Sequence, residues 1–324
     1  MSAGPASRTE RAGLAAVIVN WNGRRLLDAC LESLVAQDPA PGRIIVVDNG
    51  SGDGSLEHLR TRWPRVSALD AGANLGFPGG TNLGIRHAIA AGADYVLLLN
   101  NDAELLPGAL AELVAALDGT GPEVWAAAPK ILYRKSPGII WSAGGWFDWW
   151  RGLSIDRGWN EPDRGQYDRP ELVEFANACC LLVRAEMFGR VGLMDDAYFM
   201  YFEDSELSAR AARLGARVAY RPAARALHDV QGSTGGAAGA ASPVSLYYWT
   251  RNRGRFVSRN VRGPVRRLAA HGYVLTTRAL RIVQAALAGR RAEARLIGRA
   301  LIDGYIRGVT GASYPSAHAG PRAR

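Results

Sequence analysis

An apolar run that stops abruptly on polar residues places the tightest limit on how this chain can fold. Residues 95–99 (YVLLL) carry no charge and lead directly into Asn100, Asn101 and Asp102. A buried strand with this ending would deliver a carboxylate to the rim of a parallel sheet, where ligands bind outside the carboxyl ends of the strands. Such a carboxylate can hold a hard divalent cation, which can neutralise a diphosphate. Asn and Asp are also common turn and N-cap residues, so the motif alone leaves both interpretations open.

Strands and helices are expected to alternate in the N-terminal part of the chain. Short apolar runs predict strands at 14–20, 43–48, 66–69 and from Tyr95 onward. Residues 26–35 have apolar side chains at helical spacing, and the glycine-rich loop 74–82 opens a helix expected to end near Ala91. This alternation predicts βαβ units, and therefore an α/β fold whose parallel sheet is covered by helices on both faces.

Five segments together resemble a known family: 17–23 (VIVNWNG), 45–51 (IVVDNGS), 74–77 (NLGF), 97–102 (LLLNND) and 199–204 (FMYFED). In order and spacing they resemble family 2 glycosyltransferases, and within that family the bacterial rhamnosyltransferase-like subgroup, which is also similar to galactofuranosyltransferases. The resemblance covers roughly residues 14–255. It implies the GT-A nucleotide-diphospho-sugar transferase fold, a mostly parallel twisted sheet flanked by helices, here followed by a C-terminal helical appendage.

The resemblance also implies an activity. We expect an inverting, metal-dependent glycosyltransferase that moves a sugar from a nucleotide diphosphate donor to a lipid-linked or polysaccharide acceptor in cell-envelope glycan synthesis. Rhamnose from dTDP-rhamnose is the first expectation, and galactofuranose or another hexose is the alternative. A nucleotide-sugar-binding protein of the same fold without turnover is a second class of function. A Rossmann dehydrogenase is disfavoured, because no Gly-x-Gly-x-x-Gly follows the first strand.

Residues at the predicted strand ends form the candidate donor site. By the resemblance, Asp48 is expected to contact the nucleobase, although a cap of an Asx-turn is the alternative role. Asn74 and Gly76 begin a loop in which the backbone can approach a nucleotide closely. A plain helix entry is the alternative there. Asn20 and Asn101, at the ends of two other predicted strands, complete the donor-binding set.

The resemblance assigns the metal to Asp102, because the acidic motif of the family is reduced here to Asn100, Asn101 and Asp102. One carboxylate binds Mg²⁺ or Mn²⁺ weakly unless the donor phosphates and a further ligand complete the coordination shell. His228 is the candidate for that ligand, since similar galactofuranosyltransferases have a histidine at this point. An imidazole suits Mn²⁺ better than Mg²⁺. A structural role is the alternative for a single histidine.

Glu203 and Asp204 begin a predicted helix that extends to Leu214. Acids in a first turn stabilise the helix dipole, which accounts for one of the two. The aromatic residues that crowd the entry suggest an apolar vestibule, and carboxyl groups there have raised pKa values and can act as bases. In similar inverting transferases the second acid is the base. We therefore assign that role to Asp204. Glu203 is expected either to orient the acceptor or to share the work of the base.

Residues 141–166 contain a cluster of tryptophans: Trp141, Trp146, Trp149, Trp150 and Trp159. These indoles could form a platform for sugar faces, or they could be the core of a β-rich insertion. The sequence leaves the two interpretations open. Because family members vary most in this segment, it is expected to determine the acceptor.

The C-terminal part differs in composition from the rest. Residues 251–324 contain 16 Arg, no Lys and two acids, although the whole chain has a net charge of only +9. Two helices are predicted, at 265–287 and 292–306, and the second places Arg291, Arg295 and Arg299 on one face. A basic amphipathic helix is typical of an element on an anionic membrane surface. Packing on the catalytic domain is the alternative, and nothing resembles a nucleic-acid recognition module.

These observations predict a domain organisation. Residues 1–12 and 311–324 are expected to be disordered, 13–258 to form the catalytic domain and 259–310 the basic appendage. Within the catalytic domain, 13–102 would bind the nucleotide and 103–258 the acceptor. No run of 18 apolar residues and no signal sequence is present, and the three cysteines make no disulfide framework. We therefore expect a cytoplasmic protein that associates with the inner face of the membrane. A homo-oligomer is compatible with the sequence.

Overall fold

The structure, a computed structural model, describes residues 10–230 and 242–307. The disorder predicted for 1–9 and 311–324 lies outside the described residues. Residues 10–12, also predicted to be disordered, belong instead to the first strand, where Glu10 is paired with Ala40. The guanidinium of Arg11 forms an ion pair of 3.0 Å with Asp118, which holds this end of the strand in place.

The first part of the chain alternates between strands and helices as predicted. Its elements are β1 (Glu10–Asn20), α1 (Arg24–Val35), β2 (Ala40–Asp48), α2 (Ser55–Arg62), β3 (Ser67–Asp70), α3 (Gly76–Ala90) and β4 (Tyr95–Asn100). Helix α2 was not predicted from the sequence, because the residues that lead into it, 49–55, are typical of turns. The predicted order of strand and helix is otherwise confirmed.

The second part is richer in short strands. Its elements are β5 (Ala103–Leu105), α4 (Ala109–Asp118), β6 (Val124–Tyr133), β7 (Ser136–Ser142), β8 (Gly145–Asp148), β9 (Leu153–Asp156), β10 (Glu171–Val173), β11 (Cys180–Arg184), α5 (Ala185–Val191), α6 (Glu203–Arg213) and β12 (Arg217–His228). A short 3-10 turn, Asp196–Tyr198, precedes α6. Strands β8 and β9 form a separate hairpin outside the main sheet.

The main sheet is mixed but mostly parallel, with the order β10-β12-β6-β11-β4-β1-β2-β3. Strand β11 is antiparallel to both of its neighbours. The parallel register sets Asn20 beside Asp48 and Val19 beside Asn100, so the polar ends of β1, β2 and β4 meet at one edge. The predicted fold class is confirmed, and this edge is where a ligand site is expected.

Apolar side chains cover both faces of the sheet. Ala16 and Ile18 of β1 belong to an apolar cluster shared with α1 and α4. Ala15 and Val17 belong to a second cluster, shared with α3 and α6 on the opposite face. Successive side chains of a strand point to opposite faces, so a strand buried on both sides must be a continuous apolar run. That is why the strands were visible in the sequence.

Three helices end the described chain: α7 (Pro243–Asn260), α8 (Pro264–Leu287) and α9 (Arg291–Ile302). A π-helical turn, Asp303–Arg307, follows. Helix α7 crosses the predicted boundary at residue 258, and the division into catalytic domain and appendage stays a prediction. In 10–230 and 242–307, no helix combines the length and the apolar character that crossing a bilayer requires.

Candidate active site

A cavity of about 280 Å³ opens at the edge of the sheet where β1 and β4 end. The loops after these strands, the entry of α6, the end of β12 and the β8–β9 hairpin all contribute to its wall. The polar side chains that line it are Asn49, Asn74, Asn100, Asn101, Asp102, Ser154, Asp156, Asn177, Glu203, Asp204, Ser205 and His228. Most of the predicted site residues are therefore brought together around one cavity.

Asn20 and Asp48 lie just behind this wall, in a buried hydrogen-bond network. The amide of Asn20 donates to the Asp48 carboxylate at 3.2 Å and accepts from the Asn101 amide at 2.8 Å. The other carboxylate oxygen of Asp48 accepts from the main-chain N–H of Ser51 at 2.9 Å. Both carboxylate oxygens of Asp48 therefore accept hydrogen bonds within the protein, one of them from the turn that follows β2. Its contact with a nucleobase stays a prediction, and the adjacent Asn49 is the residue of this turn that faces the cavity.

Asn49 connects the β2 turn to the glycine-rich loop. Its amide donates to the Gly76 carbonyl at 2.9 Å, and its side-chain oxygen accepts from the Leu75 main-chain N–H at 3.2 Å. Gly76 has φ +75°, and a β-carbon there would lie 2.4 Å from the carbonyl oxygen of Phe199. Only glycine satisfies both the left-handed backbone and this close approach. The loop is thereby fixed against the segment that leads into Glu203 and Asp204.

Asp102 and His228 are adjacent in the structure, as the resemblance implied. Strand β12 pairs with β5, which sets His228 beside Ala103, and the main-chain N–H of Asp229 donates to the Asp102 carbonyl at 2.9 Å. Nε2 of His228 lies 3.1 Å from Oδ1 of Asp102, and both side chains are buried. The imidazole packs edge-on against Trp141, with ring centroids 4.5 Å apart.

The donor set of this pair fits a divalent cation that is held jointly with a substrate. Nδ1 of His228 is buried and has no hydrogen-bond partner among the described residues. Across the described part of the chain, no group of three or more His, Cys, Asp or Glu side chains is arranged to hold a metal ion. Two protein ligands are too few for a stable resident metal, but they suit a cation whose remaining ligands are phosphate oxygens and water.

The entry to α6 has an unusual backbone. Phe199, Tyr201 and Phe202 have φ values of 63°, 66° and 72°, a region that L-residues with large side chains rarely adopt. Such strain persists only where the surroundings hold it, and it concentrates at functional sites. Here the amide of Asn252 on α7 donates to the carbonyls of Tyr198, Met200 and Tyr201 at 2.6–2.9 Å.

The strained turn presents two carboxyl groups whose surroundings differ. Burial, reinforced by the charge of Asp204, raises the pKa of Glu203 well above its ordinary value. Oε2 of Glu203 has no hydrogen-bond partner in the described residues. Burial also raises the pKa of Asp204, but hydrogen bonds from main-chain N–H groups oppose this effect, among them one of 2.6 Å from Ser205. Of the two, Asp204 is therefore better able to carry a negative charge.

Comparison with known proteins assigns the family. The profile of Glycosyl transferase family 2 matches residues 15–188, which span the sheet edge and most of the cavity wall. The chain belongs to this family.

Relatives of this glycosyltransferase include enzymes of known activity. N-acetylglucosaminyl-diphospho-decaprenol L-rhamnosyltransferase of Mycobacterium tuberculosis is 32% identical over 250 residues, which cover 68% of this chain and 78% of the relative. Galactofuranosyltransferase GlfT1 of Mycolicibacterium smegmatis is 29% identical over 62% of this chain and 65% of its own length. Both agree with the subgroup that the motifs indicated, and the chain is a glycosyltransferase.

A solved structure supports the fold. The mannosyltransferase PcManGT from Pyrobaculum calidifontis, in complex with GDP-Man and Mn²⁺, superposes with a TM-score of 0.55 at 17% identity. The match covers 92% of this chain and 81% of that structure. At this identity the likeness concerns the fold, and the GT-A assignment is confirmed.

The cavity wall also contains a residue that sequence analysis missed. Asp156, on β9, lines the cavity with Asp204, and burial raises its pKa to about 7. The charge of Asp204 adds to this rise, and the hydroxyl of Ser142, which donates to Asp156 at 2.7 Å, opposes it. No local signal marks Asp156, because it reaches the cavity only through the folding of the β8–β9 hairpin.

The five tryptophans of the cluster lie in different surroundings. Trp149 stacks on Phe147 with ring centroids 4.6 Å apart, so it is part of the packing of a β-rich insertion. Trp141 lines the cavity beside His228. Trp146, Trp150 and Trp159 are exposed. A single sugar platform built from all five indoles is therefore not present in the described residues.

Proposed function

We propose that this glycosyltransferase is inverting and metal-assisted, and that Asp204 is its general base. One observation carries the proposal. The same cavity is lined by a metal-type pair, Asp102 and His228, and by a pair of acids, Glu203 and Asp204, in an apolar aromatic turn.

The chemistry follows from these positions. Asp204 takes the proton of the acceptor hydroxyl, and the oxygen attacks the anomeric carbon of the donor sugar from the face opposite the diphosphate. The bond from the anomeric carbon to the diphosphate oxygen breaks, and the nucleoside diphosphate leaves with the electron pair. The sugar is transferred with inversion. Burial and the charge of Asp204 raise the pKa of Glu203 and so favour its protonated form, which can donate a hydrogen bond that orients the acceptor.

Asp102 and His228 would hold the cation, Mn²⁺ or Mg²⁺, together with the donor. When bound, the cation neutralises negative charge on the leaving diphosphate. Asn49, Asn74 and Gly76 would then approach the nucleotide through side-chain amides and main-chain groups. Asn101, which also lines the cavity, would reach the donor from the end of β4.

We propose rhamnose, carried by dTDP, as the sugar and a lipid-linked or polysaccharide acceptor of the cell envelope as its destination. The support is the 32% identity to a rhamnosyltransferase whose name specifies a decaprenol diphosphate acceptor. Galactofuranose is the second candidate, supported by the 29% identity to GlfT1. Since nucleotide sugars are cytoplasmic metabolites, we place the reaction at the inner face of the membrane.

A ligand screen separates these donors. The protein would be heated with UDP-, GDP- and dTDP-sugars, each with Mn²⁺ and with EDTA. A donor at about 100 times its dissociation constant stabilises the folded state by about 2.7 kcal/mol, which a melting curve detects. We expect dTDP-rhamnose to give the largest shift, and only with metal. A larger shift with UDP-galactofuranose would favour the second candidate.

Substitutions at two histidines test the proposed metal site. His228→Ala should lower sugar transfer and raise the Mn²⁺ concentration that half-restores activity after EDTA treatment. His58 is a matched control, because it also pairs with an aspartate, at 2.8 Å from Asp28, but lies outside the cavity. His58→Ala should leave the metal requirement unchanged. Full transfer in excess EDTA would refute the metal-assisted mechanism and leave the assignment of Asp204 to be tested separately.

A further inference from the structure

Helix α8 has an exposed apolar face. Six large side chains on it are 46–85% exposed: Val265, Leu268, Leu275, Leu280, Val283 and Leu287. We call this set the α8 outer face. The opposite side of the helix is buried against the protein through Ala270, Val274 and Ala285. The helix therefore contacts the rest of the molecule with small residues and directs its larger apolar residues outward.

The α8 outer face is continuous and uncharged. At 3.6 residues per turn its six side chains fall within an arc of about 140°, over a length of about 33 Å. The four arginines of the helix, Arg266, Arg267, Arg278 and Arg281, all fall outside that arc. Exposed Thr276 and Gly272 also lie within the arc, but no charged residue does. An exposed apolar stripe on a surface helix is typical of an interaction site.

Positive charge flanks both ends of the stripe. Arg262, Arg266 and Arg267 are exposed at its start, and Arg290 and Arg291 just beyond its end. The two acids of this segment are already engaged. Glu293 forms ion pairs with Arg281 and Arg290, and Asp303 is buried, with the Tyr247 hydroxyl donating to it at 2.7 Å. The surroundings of the stripe therefore attract anions.

The apolar stripe and the arginines around it indicate which partner binds the α8 outer face. The segments of the chain outside the described residues have few large apolar side chains to cover the stripe: Met1, Val309 and Tyr314. In a dimer formed through this face, the arginines of one protein molecule would lie against the same arginines of the other, and the like charges would repel. An anionic bilayer satisfies both features, since its acyl chains accept the stripe and its phosphates pair with the arginines. We propose that the α8 outer face lies in the surface of an anionic membrane.

The proposal relocates the membrane contact expected from the sequence. On α9, Ile297 and Ala300 are buried, and Leu296 packs near Tyr247 and Tyr248 of α7. The apolar side of α9 is thus used within the protein, which leaves its exposed Arg291, Arg295 and Arg299 without an apolar stripe beside them. Helix α8 has the stripe, and α9 contributes charge.

The same surface adjoins the acceptor side of the cavity. The tip of the β8–β9 hairpin packs on α7 and α8, where a β-carbon on Gly152 would lie 2.2 Å from Val257 and 3.3 Å from Ala270. At this tip, the guanidinium carbon of Arg266 lies 5.6 Å from the ring centroid of the exposed Trp150. Strand β9 then leads to Ser154 and Asp156 in the cavity wall. A lipid-linked acceptor would reach the cavity along this hairpin. In this respect the inference rests on the proposed function.

Vesicle binding tests the proposal. The full chain would be sedimented with vesicles of phosphatidylglycerol and phosphatidylcholine in equal parts, and with vesicles of phosphatidylcholine alone. We expect binding to the first kind and much weaker binding to the second. The triple variant Leu268→Gln, Leu275→Gln, Leu280→Gln should bind the anionic vesicles at least roughly tenfold more weakly. The control Leu172→Gln, Leu214→Gln removes exposed leucines from other elements and should bind normally.

Donor hydrolysis in vesicle-free solution separates this inference from the proposed function. It should be equal in the unaltered protein and the triple variant, because α8 does not line the cavity. Unchanged vesicle binding by the triple variant would overturn the proposal even if the enzyme turns over the donor. A dimer in solution that the triple variant breaks, without vesicle binding by either protein, would assign the face to a second copy and overturn it too. Absent turnover with intact, α8-dependent vesicle binding would refute the proposed function alone.

Discussion

The side-chain amide of Asn252 donates a 2.9 Å hydrogen bond to the carbonyl of Tyr201, a residue held at φ 66°. The same amide also reaches the carbonyls of Tyr198 and Met200. A residue on α7 therefore holds a strained turn whose next two residues are Glu203 and Asp204. The position of the acids depends on a helix that follows them by almost forty residues in the sequence.

Replacing Asn252 with Leu should lower sugar transfer more than it lowers stability. The change keeps the volume and removes the donors that hold the turn, so Asp204 should lose its position. Misplacement of a catalytic group by about 1 Å can cost roughly 100-fold in rate. Asn260→Leu is the control, because Asn260 is buried on the same helix but contacts Phe256 and Arg213, at the far end of α6, and not the strained turn. Equal transfer by the two variants, measured at matched folded fraction, would rule out this role for Asn252.

The two acids should respond differently to neutral substitution. Asp204→Asn should reduce transfer by about 10²–10⁴-fold, the usual contribution of a general base, while donor affinity is kept. Glu203→Gln should cost less than Asp204→Asn, because burial and the charge of Asp204 favour the neutral form of Glu203, which Gln resembles. Steady-state transfer and donor melting shifts measure both effects. The reverse ranking would make Glu203 the base.

Asp156 should make stability depend on pH. Its pKa is about 7 in the folded protein, against an ordinary value of 3.8. Between these values the unfolded chain binds fewer protons at this position, so the free energy of unfolding falls as the pH rises. Asp156→Asn should make this decline smaller without abolishing it, because buried Glu203 and Asp204 also have raised pKa values. Urea unfolding at about pH 5 and about pH 8 would measure the difference. Asp148→Asn, on the same hairpin but outside the cavity wall, should retain it.

Asp156 should also influence the base. Because it lines the cavity with Asp204, removing its charge should make Asp204 easier to ionise. The acid limb of the transfer rate against pH should therefore move to lower pH in Asp156→Asn. A limb that moves to higher pH, or does not move, would contradict an electrostatic link between the two carboxyl groups.

Two glycines provide a matched test of the donor loop. Gly72 and Gly76 have φ +70° and +75°, but a β-carbon on Gly72 would meet open space, whereas one on Gly76 would collide with Phe199. Gly72→Ala should cost about 1 kcal/mol of stability, from backbone strain alone. Gly76→Ala should cost more and should also weaken donor-induced stabilisation. Equal effects of the two changes in melting experiments would mean that the approach to Phe199 is not important.

The strands of the nucleotide half could be predicted because burial on both faces makes each of them a continuous apolar run. The pairing of Asp102 with His228 could be anticipated only from the family resemblance, since a contact between distant strands leaves no local pattern. Asp156 and Asn252 were missed for the same reason. Each is a common polar residue whose role arises from packing between elements. Helix α2 was missed because its start is dense in turn residues.

Helix α7 has a consequence for attempts to retarget the enzyme. It contributes Trp249 to the cavity wall and Asn252 to the strained turn, and it leads directly into α8. A chimera that exchanges the C-terminal helices of two relatives at residue 243 would therefore exchange part of the catalytic scaffold together with the docking element. A junction in the loop between Asn260 and Pro264 would exchange only α8 and the residues after it. Such a chimera would change the surface to which the enzyme binds and keep the sugar transfer reaction of the parent.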